Sequence, residues 1–318
     1  MKRLVLAIVV PCYNEEEVLP ETVKRLLAIM KKLINANKIS NESFILFVDD
    51  GSKDMTWNII ENLAKQNSQI KGLKLSRNFG HQNALLAGME YVFDKCDCLI
   101  TIDADLQQDE NAIEEFIQKY MDGSEIVLGV RNDRKSDSVF KKLTALIFYE
   151  LMLKMGVNIT KNHADYRLIG KRAIKALLEF KEVNLFLRGL VPLIGFKTDY
   201  VFFDVKERIA GSSKYTFRKM LAFALDGISS FSVVPLRLIT FIGFLIFVGS
   251  LIMGVIVLYT ALFTNKAVQG WASTVLPIYF ISGIQLLSLG IIGEYIGKIY
   301  IETKRRPRYF IEKCVGDK

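Results

Sequence analysis

From residue 4 to about 130, short apolar runs alternate with stretches whose apolar positions recur every three or four residues. The runs at 4–10, 44–48, 72–75, 98–102 and 125–128 predict strands, and the stretches 20–34, 56–66, 82–93 and 111–120 predict helices. Apolar strands separated by helices imply an α/β fold, a parallel sheet covered on both faces. Ligands of such a sheet bind beyond the carboxyl ends of its strands.

Further along, the pattern changes. Residues 138–159 and 215–231 are apolar but broken by charge. In the second stretch Phe217, Met220, Leu221, Ala224, Leu225 and Ile228 share one helical face, with Arg218 and Lys219 on another. That predicts an amphipathic helix lying in a membrane interface, although an amphipathic core helix has the same period. Residues 238–265 and 267–293 then contain no Asp, Glu, Lys or Arg. Each run exceeds the roughly 20 residues that cross a bilayer, so together they predict a C-terminal two-helix transmembrane hairpin. Ser250-xxx-Gly254 and Gly293-xxx-Gly297 are small-residue pairs of the kind that pack spans together, and they open the way to a homo-oligomer.

The formal net charge is +8, from 42 Lys and Arg against 34 Asp and Glu. Nucleic acid, an anionic membrane surface or phosphate ligands would each account for it, and its placement favours membrane. Arg208, Lys214, Arg218, Lys219 and Arg237 precede the first charge-free run; Lys298, Lys304, Arg305, Arg306 and Arg308 follow the second; Lys266 alone lies between. The positive-inside rule then puts both termini and the catalytic part in the cytoplasm. No nucleic-acid-binding module accompanies the charge. The four cysteines have no paired C-x-x-C spacing and read as reduced thiols, and residues 4–10 are too short and lack the cleavage site of a signal peptide.

The polar residues that carry chemistry sit where the strands end. Pro11-Cys12-Tyr13-Asn14-Glu15 follows the first strand, Asp49-Asp50-Gly51-Ser52 the second, Arg77-Asn78-Phe79-Gly80 the third and Asp103-Ala104-Asp105-Leu106-Gln107 the fourth, so four clusters converge on one cleft. Asp103 and Asp105, at i and i+2 of extended chain, point to one side and offer hard oxygen ligands to Mg2+ or Mn2+. Such a cation bridges two phosphates and offsets charge on a departing nucleoside diphosphate. Asp49 and Asp50 are placed to hydrogen-bond a base or ribose beside the turn that Gly51 permits, while Asp54 reads as a helix cap. Arg131, Arg134, Arg208 and Lys214 are candidate phosphate ligands. Asp165 is either a contact to sugar or acceptor, or a structural residue as the partner of Arg167 in an ion pair or as a helix cap. His81 reads as a residue that packs or caps at a helix start.

These motifs, with Arg208-Ile209-Ala210-Gly211-Ser212-Ser213-Lys214-Tyr215, resemble those of family 2 glycosyltransferases of the GT-A (Rossmann-like) fold. The likeness spans essentially the whole chain and is closest to the polyprenyl-phosphate glycosyltransferases, the dolichyl-phosphate mannose synthases and bacterial bactoprenol glucosyltransferases. It implies that Pro11, Tyr13, Glu15, Asp49 and Asp50 hold the nucleoside of a nucleotide-sugar donor, with Gly51, Asn78 and Tyr215 in the same set. It implies that Asp103 and Asp105, with Gln107, hold the metal and diphosphate, and that the loop around Arg208, Lys214 and Tyr215 closes over donor and lipid phosphate. Ser212 departs from the common pattern, in which Glu stands between Gly and Ser. The implied division is a GT-A nucleotide-sugar-binding core at 1–137, an acceptor-side region with interfacial helices at 138–235, two transmembrane helices at 236–297 and a basic cytoplasmic tail at 298–318.

The expectation is an integral protein of a bacterial plasma membrane that moves one sugar, glucose from UDP-glucose first and mannose from GDP-mannose second, onto polyprenyl (undecaprenyl) phosphate with inversion. A lipid monophosphate has a second pKa of about 6, so near neutrality it is already a charged nucleophile and needs cations more than a base. A processive polysaccharide synthase is disfavoured: neither Trp57 nor Trp271 lies in a Gln-x-x-Arg-Trp motif, and two spans are too few for a channel. An inactive scaffold is disfavoured because every clustered carboxylate is retained at a cost in local repulsion.

Overall fold

The computed structural model describes residues 3–132, 163–183, 186–206, 234–263 and 271–317. They form two compact units, one holding the sheet and one holding two long apolar helices. In the first unit β1 (Leu6–Cys12) and β2 (Phe44–Asp49) are buried along their whole length, as expected of central strands covered on both faces. β3 (Ile70–Leu75) lies beside β2, and β4 (Cys98–Thr101) flanks β1 on its other side; all four run parallel.

The connecting helices are α1 (Leu19–Asn35), α2 (Thr56–Gln66), α3 (His81–Val92) and α4 (Ala112–Met121). Pro20 opens α1, where its missing N–H would lack a helical partner anyway, and Leu19, Val23, Leu26, Met30 and Leu33 form its buried stripe. Gly88 brings α3 down onto the sheet: a Cβ there would lie 2.4 Å from Val9 Cγ1 and 3.0 Å from Val48 Cγ2.

The sheet is mixed, not wholly parallel. Its order is β7-β5-β6-β4-β1-β2-β3-β8, with β5 (Ile126–Arg131), β6 (His163–Gly170), β7 (Thr198–Phe203) and β8 (Ile311–Val315). β6 is inserted antiparallel between β4 and β5, and β7 runs parallel to β5 at the edge. The two faces of β6 differ, which fixes its register. Tyr166 packs against Phe116 at 4.6 Å and Phe203 at 5.3 Å between ring centroids, while Asp165 and Arg167 occupy the other face. After β6 come α5 (Lys171–Glu179) and α6 (Leu187–Leu193).

The segment read as a basic tail also differs from expectation, since residues 311–315 are the eighth strand, antiparallel to β3. Ion pairs hold it there, among them Lys74–Glu312 at 3.0 Å and Lys313–Glu61 at 2.7 Å, and Asp317 bridges Lys71 and Lys95. The four cysteines are free thiols, and only Cys314 is exposed.

The second unit contains α7 (Val234–Phe263) and α8 (Trp271–Thr303). α8 includes one segment, Ile284–Thr303, long and apolar enough to cross a membrane; the apolar segment found in α7 is the shorter Val234–Ile246. Phe241, Phe244, Ile252, Phe280, Leu286 and Ile296 are all exposed on these helices. The expected pair of spans is therefore met in part. The interfacial helices expected at 138–159 and 215–231 lie outside the described residues.

Candidate active site

Two loops meet at the ends of β1 and β2. Pro11 pairs with Val48 and Cys12 with Asp49 in the ladder, so the chain leaves both strands at one level. Asn14, at φ 54°, ties the loops together: its N–H donates to Ser52 Oγ at 2.9 Å, and its Oδ1 accepts from the Lys53 N–H at 2.9 Å. Tyr13 and Glu15 flank it, partly exposed, and the Glu15 N–H donates to Thr56 Oγ1 at 2.9 Å. Asp54, expected as a helix cap, lies one residue before the N-cap Met55 and accepts from the N–H groups of Thr56 and Glu16.

Asp49 and Asp50 differ in task. Asp49 is fully buried; its Oδ1 accepts from the Ser52 N–H at 3.3 Å, and its Oδ2 has no hydrogen-bond partner. A buried acceptor left open at a strand end is a place for a ligand donor. Asp50 instead clasps its own protein, accepting from the Phe79 N–H at 2.7 Å and the Gly80 N–H at 2.9 Å. Burial pushes both carboxyls above the usual range despite these bonds. Gly51, at φ 67°, is required by the crossing of the two loops, because a Cβ there would sit 2.4 Å from the Arg77 carbonyl carbon. Asn78 is exposed on the same loop.

The chain after β4 is a turn, with Leu106 at φ 56°, and not the extended run expected of Asp103 to Asp105, yet burial still alternates along it. Asp103, Asp105 and Gln107 are partly exposed, whereas Ala104, Leu106 and Gln108 are buried between them. Gln108 holds Asp103 from beneath: its Nε2 donates to Oδ2 at 2.6 Å and its Oε1 accepts the Asp103 N–H at 3.0 Å. The Gln107 N–H donates to Asp105 Oδ1 at 3.2 Å. Burial raises the Asp103 carboxyl, and the negative charges of Asp165 and Asp105 raise it further against the opposing effect of His81 and Arg188. Such repulsion is what a bound cation relieves, and two carboxylates with an amide oxygen suit Mg2+ or Mn2+. No group of three or more His, Cys, Asp or Glu among the described residues forms a complete metal cage. The turn thus fits a cation whose remaining ligands come from phosphate oxygens or water.

Beside this turn lies a cluster that sequence reasoning did not assemble. Asp165 is buried on β6 and forms an ion pair with Arg167, one of the alternatives left open for it, and Arg167 is itself fully buried. Arg188, from α6, adds a two-point bridge, Nε to Oδ1 at 3.2 Å and Nη2 to Oδ2 at 2.7 Å. Burial alone would raise the Asp165 carboxyl, but Arg188 and Arg167 outweigh it and hold it well below the usual range. His81, first residue of α3, does more than start a helix: its Nε2 is 3.7 Å from Asp103 Oδ1 and 3.8 Å from Asp165 Oδ2. The signal for Arg188 was a lone charge within the apolar run Leu187–Leu193.

Arg131 ends β5, and its Nε is enclosed without a partner. Lys206 is anchored to the acidic turn: its N–H donates to the Gln107 carbonyl at 2.9 Å, and its Nζ lies 2.8 Å from Asp109 and 2.7 Å from Glu110. Arg134, Arg208, Lys214 and Tyr215 lie outside the described residues.

Comparison with known proteins accords with this geometry. The family model described as "Glycosyl transferase family 2" matches residues 7–178. A Bacillus subtilis (strain 168) protein named "Uncharacterized glycosyltransferase YkoT" is 51% identical, covering 97% of this chain and 91% of its own. The "Prophage bactoprenol glucosyl transferase homolog" of Escherichia coli (strain K12) is 38% identical over 97% and 98% of the two chains, and the "Bactoprenol glucosyl transferase" of Shigella phage SfII is 38% identical over 97% of each. Among solved structures, the mannosyltransferase PcManGT from Pyrobaculum calidifontis, in complex with GDP-Man and Mn2+, shares the fold at TM-score 0.50 and 14% identity, covering 72% of this chain and 64% of that one.

Proposed function

The chain belongs to glycosyl transferase family 2 and is a glycosyltransferase of the GT-A fold, and from that premise we propose that it transfers one sugar from a nucleotide sugar to a polyprenyl phosphate. The observation that carries the acceptor is the near-full-length likeness to proteins named bactoprenol glucosyl transferase. The exposed apolar helices α7 and α8 support it, since a membrane anchor brings the enzyme to a lipid substrate. We read them as a hairpin with the catalytic unit on the cytoplasmic face.

The donor nucleoside binds where β1 and β2 end, its hydroxyl or ring N–H donating to the open Oδ2 of Asp49. Asp50 keeps the Arg77–Gly80 loop beside it. Asp103 and Asp105, with Gln107, would hold a divalent cation, which would supply positive charge to offset that gathering on the departing diphosphate. A phosphate oxygen of the lipid attacks the anomeric carbon from the side opposite the diphosphate; the new C–O bond forms as the old one breaks, and the electron pair leaves on the diphosphate. The nucleophile is already an anion, so no proton need be removed. An α-linked donor gives a β-linked product. Arg131, Arg208 and Lys214 are assigned to the lipid phosphate, and UDP-glucose is the first choice of donor, with GDP-mannose second.

The test is incubation of the full-length protein with radiolabelled nucleotide sugars, polyprenyl phosphate and Mn2+, followed by extraction of lipid. A labelled polyprenyl-phosphate hexose is expected with UDP-glucose. Turnover of donor with label in a non-lipid acceptor only would refute the reading.

A further inference from the structure

We propose that Arg188 is a positioning residue of the transfer step, holding Asp165 so that Asp165, His81 and Asp103 form one fixed row at the edge of the diphosphate site. The proposal rests on the transferase reading above and adds a residue that the strand-end motifs do not include.

The geometry is specific. Asp165 Oδ1 accepts from Arg167 Nη2 and from Arg188 Nε, while Oδ2 accepts from Arg188 Nη2. The fork of Arg188 thus fixes the plane of the carboxylate, which one contact from Arg167 leaves free to turn. Oδ2, the oxygen nearest His81, takes its hydrogen bond among the described residues from Arg188. His81 in turn stands between Asp165 and Asp103, on whose opposite oxygen Gln108 is bonded. α6 and α3 are also registered to each other, because the Leu187 N–H donates to Gln82 Oε1 at 3.2 Å, one residue from Arg188 on one side and from His81 on the other.

Charge gives the same reading. Asp103, Asp105 and Asp165 bring three negative charges into one corner, and Arg167 and Arg188 bring two positive ones. Two guanidiniums against three carboxylates leave the corner one positive charge short, and the Arg188 charge acts on Asp103 as well as on Asp165. Arg167 is fully buried, whereas the Arg188 side chain is 29% exposed.

Full-length protein in detergent provides the test, with Arg188→Met, Arg188→Lys, Asp165→Asn and the Arg188→Met/Asp165→Asn double variant. The rate measured is hydrolysis of the nucleotide sugar as well as lipid transfer, so that failure of the acceptor assignment leaves this test intact. Arg188→Met is expected to lower kcat about 100-fold, the scale of a misplacement near 1 Å, with donor KM changed less than about threefold. Arg188→Lys recovers part of that loss, and the double variant is no slower than the slower single one. Binding of free Mn2+, followed by its electron paramagnetic resonance signal, stays within about threefold of wild type in Arg188→Met. Unchanged kcat in that variant, losses that multiply in the double variant, or loss of Mn2+ binding in step with rate would each overturn the proposal. If Arg188→Met does not fold, Arg188→Lys decides alone: a wild-type kcat overturns the proposal, and a kcat lowered with KM and Mn2+ binding retained supports it.

Discussion

Gly51→Ala should damage the donor pocket through backbone contacts alone. At φ 67° an alanine occupies the left-handed region, which costs about 1–2 kcal/mol. Its Cβ would also lie 2.4 Å from the Arg77 carbonyl carbon and 2.6 Å from the Asn78 nitrogen, so the Arg77–Asn78 peptide must retreat by roughly 1 Å to reach ordinary contact. That peptide leads straight into the two N–H groups clasped by Asp50, and losing one bond to a charged acceptor costs about 1.5–3 kcal/mol. The sum is about 2.5–5 kcal/mol, or roughly 5–20 °C in melting temperature for a domain of ordinary size. Gly80→Ala is the steric comparison: nothing lies within 4 Å of the added Cβ, but φ 93° with ψ 152° is a region essentially reserved for glycine, so the backbone alone costs about 1–3 kcal/mol. Thermal melting and donor titration of both variants in detergent decide the matter. Gly51→Ala should melt lower and raise donor KM more than Gly80→Ala. Equal effects, or the reverse order, would refute the reasoning.

Asp103→Asn should abolish transfer while raising the melting temperature near pH 7.5, because an amide avoids the burial and repulsion that the carboxylate suffers. The pH dependence has a definite sign: Asp49, Asp50 and Asp103 bind their protons more tightly folded than unfolded, so their stabilising contribution is complete below about pH 3.9 and is lost as pH rises through the elevated folded values. Melting curves of Asp49→Asn against wild type should therefore diverge toward neutral pH, and parallel curves would contradict the assignment. Chelation of divalent metal should stop transfer, with recovery on adding Mn2+ or Mg2+; activity that survives chelation would remove the metal from the scheme. Gly88→Ala should cost about 1–3 kcal/mol by forcing α3 off Val9 and Val48, readable as a lower melting temperature.

Local pattern was enough for the first half of the sheet. The apolar runs and helical periods placed β1 to β5 and α1 to α4 within a few residues, because a short apolar run flanked by helical periods is a local signal that does not depend on which strands it pairs with. β6 was not legible, since its order in the sheet depends on pairing with β4 and β5 from across a long intervening segment. β8 was hidden by its charges: Glu312 and Lys313 read as tail, yet they meet Lys74 and Glu61 at the sheet edge. In the site, the strand-end carboxylates were visible as motifs, whereas the row Asp165–His81–Asp103 joins β6, the first turn of α3 and the turn after β4. No spacing along the chain encodes that meeting. It arises only when the sheet has assembled.

The eighth strand has a consequence for the order in which the protein is made. Lys74 and Glu312, partners across the β3–β8 edge, stand 238 positions apart. Everything between them, including both long apolar helices, leaves the ribosome before β8 can dock. Until then β3, whose outgoing loop carries the groups clasped by Asp50, presents an unpaired edge. The nascent chain therefore acquires its last strand only after α7 and α8 have been synthesised, and pairing of the β3 edge becomes a late event in biogenesis.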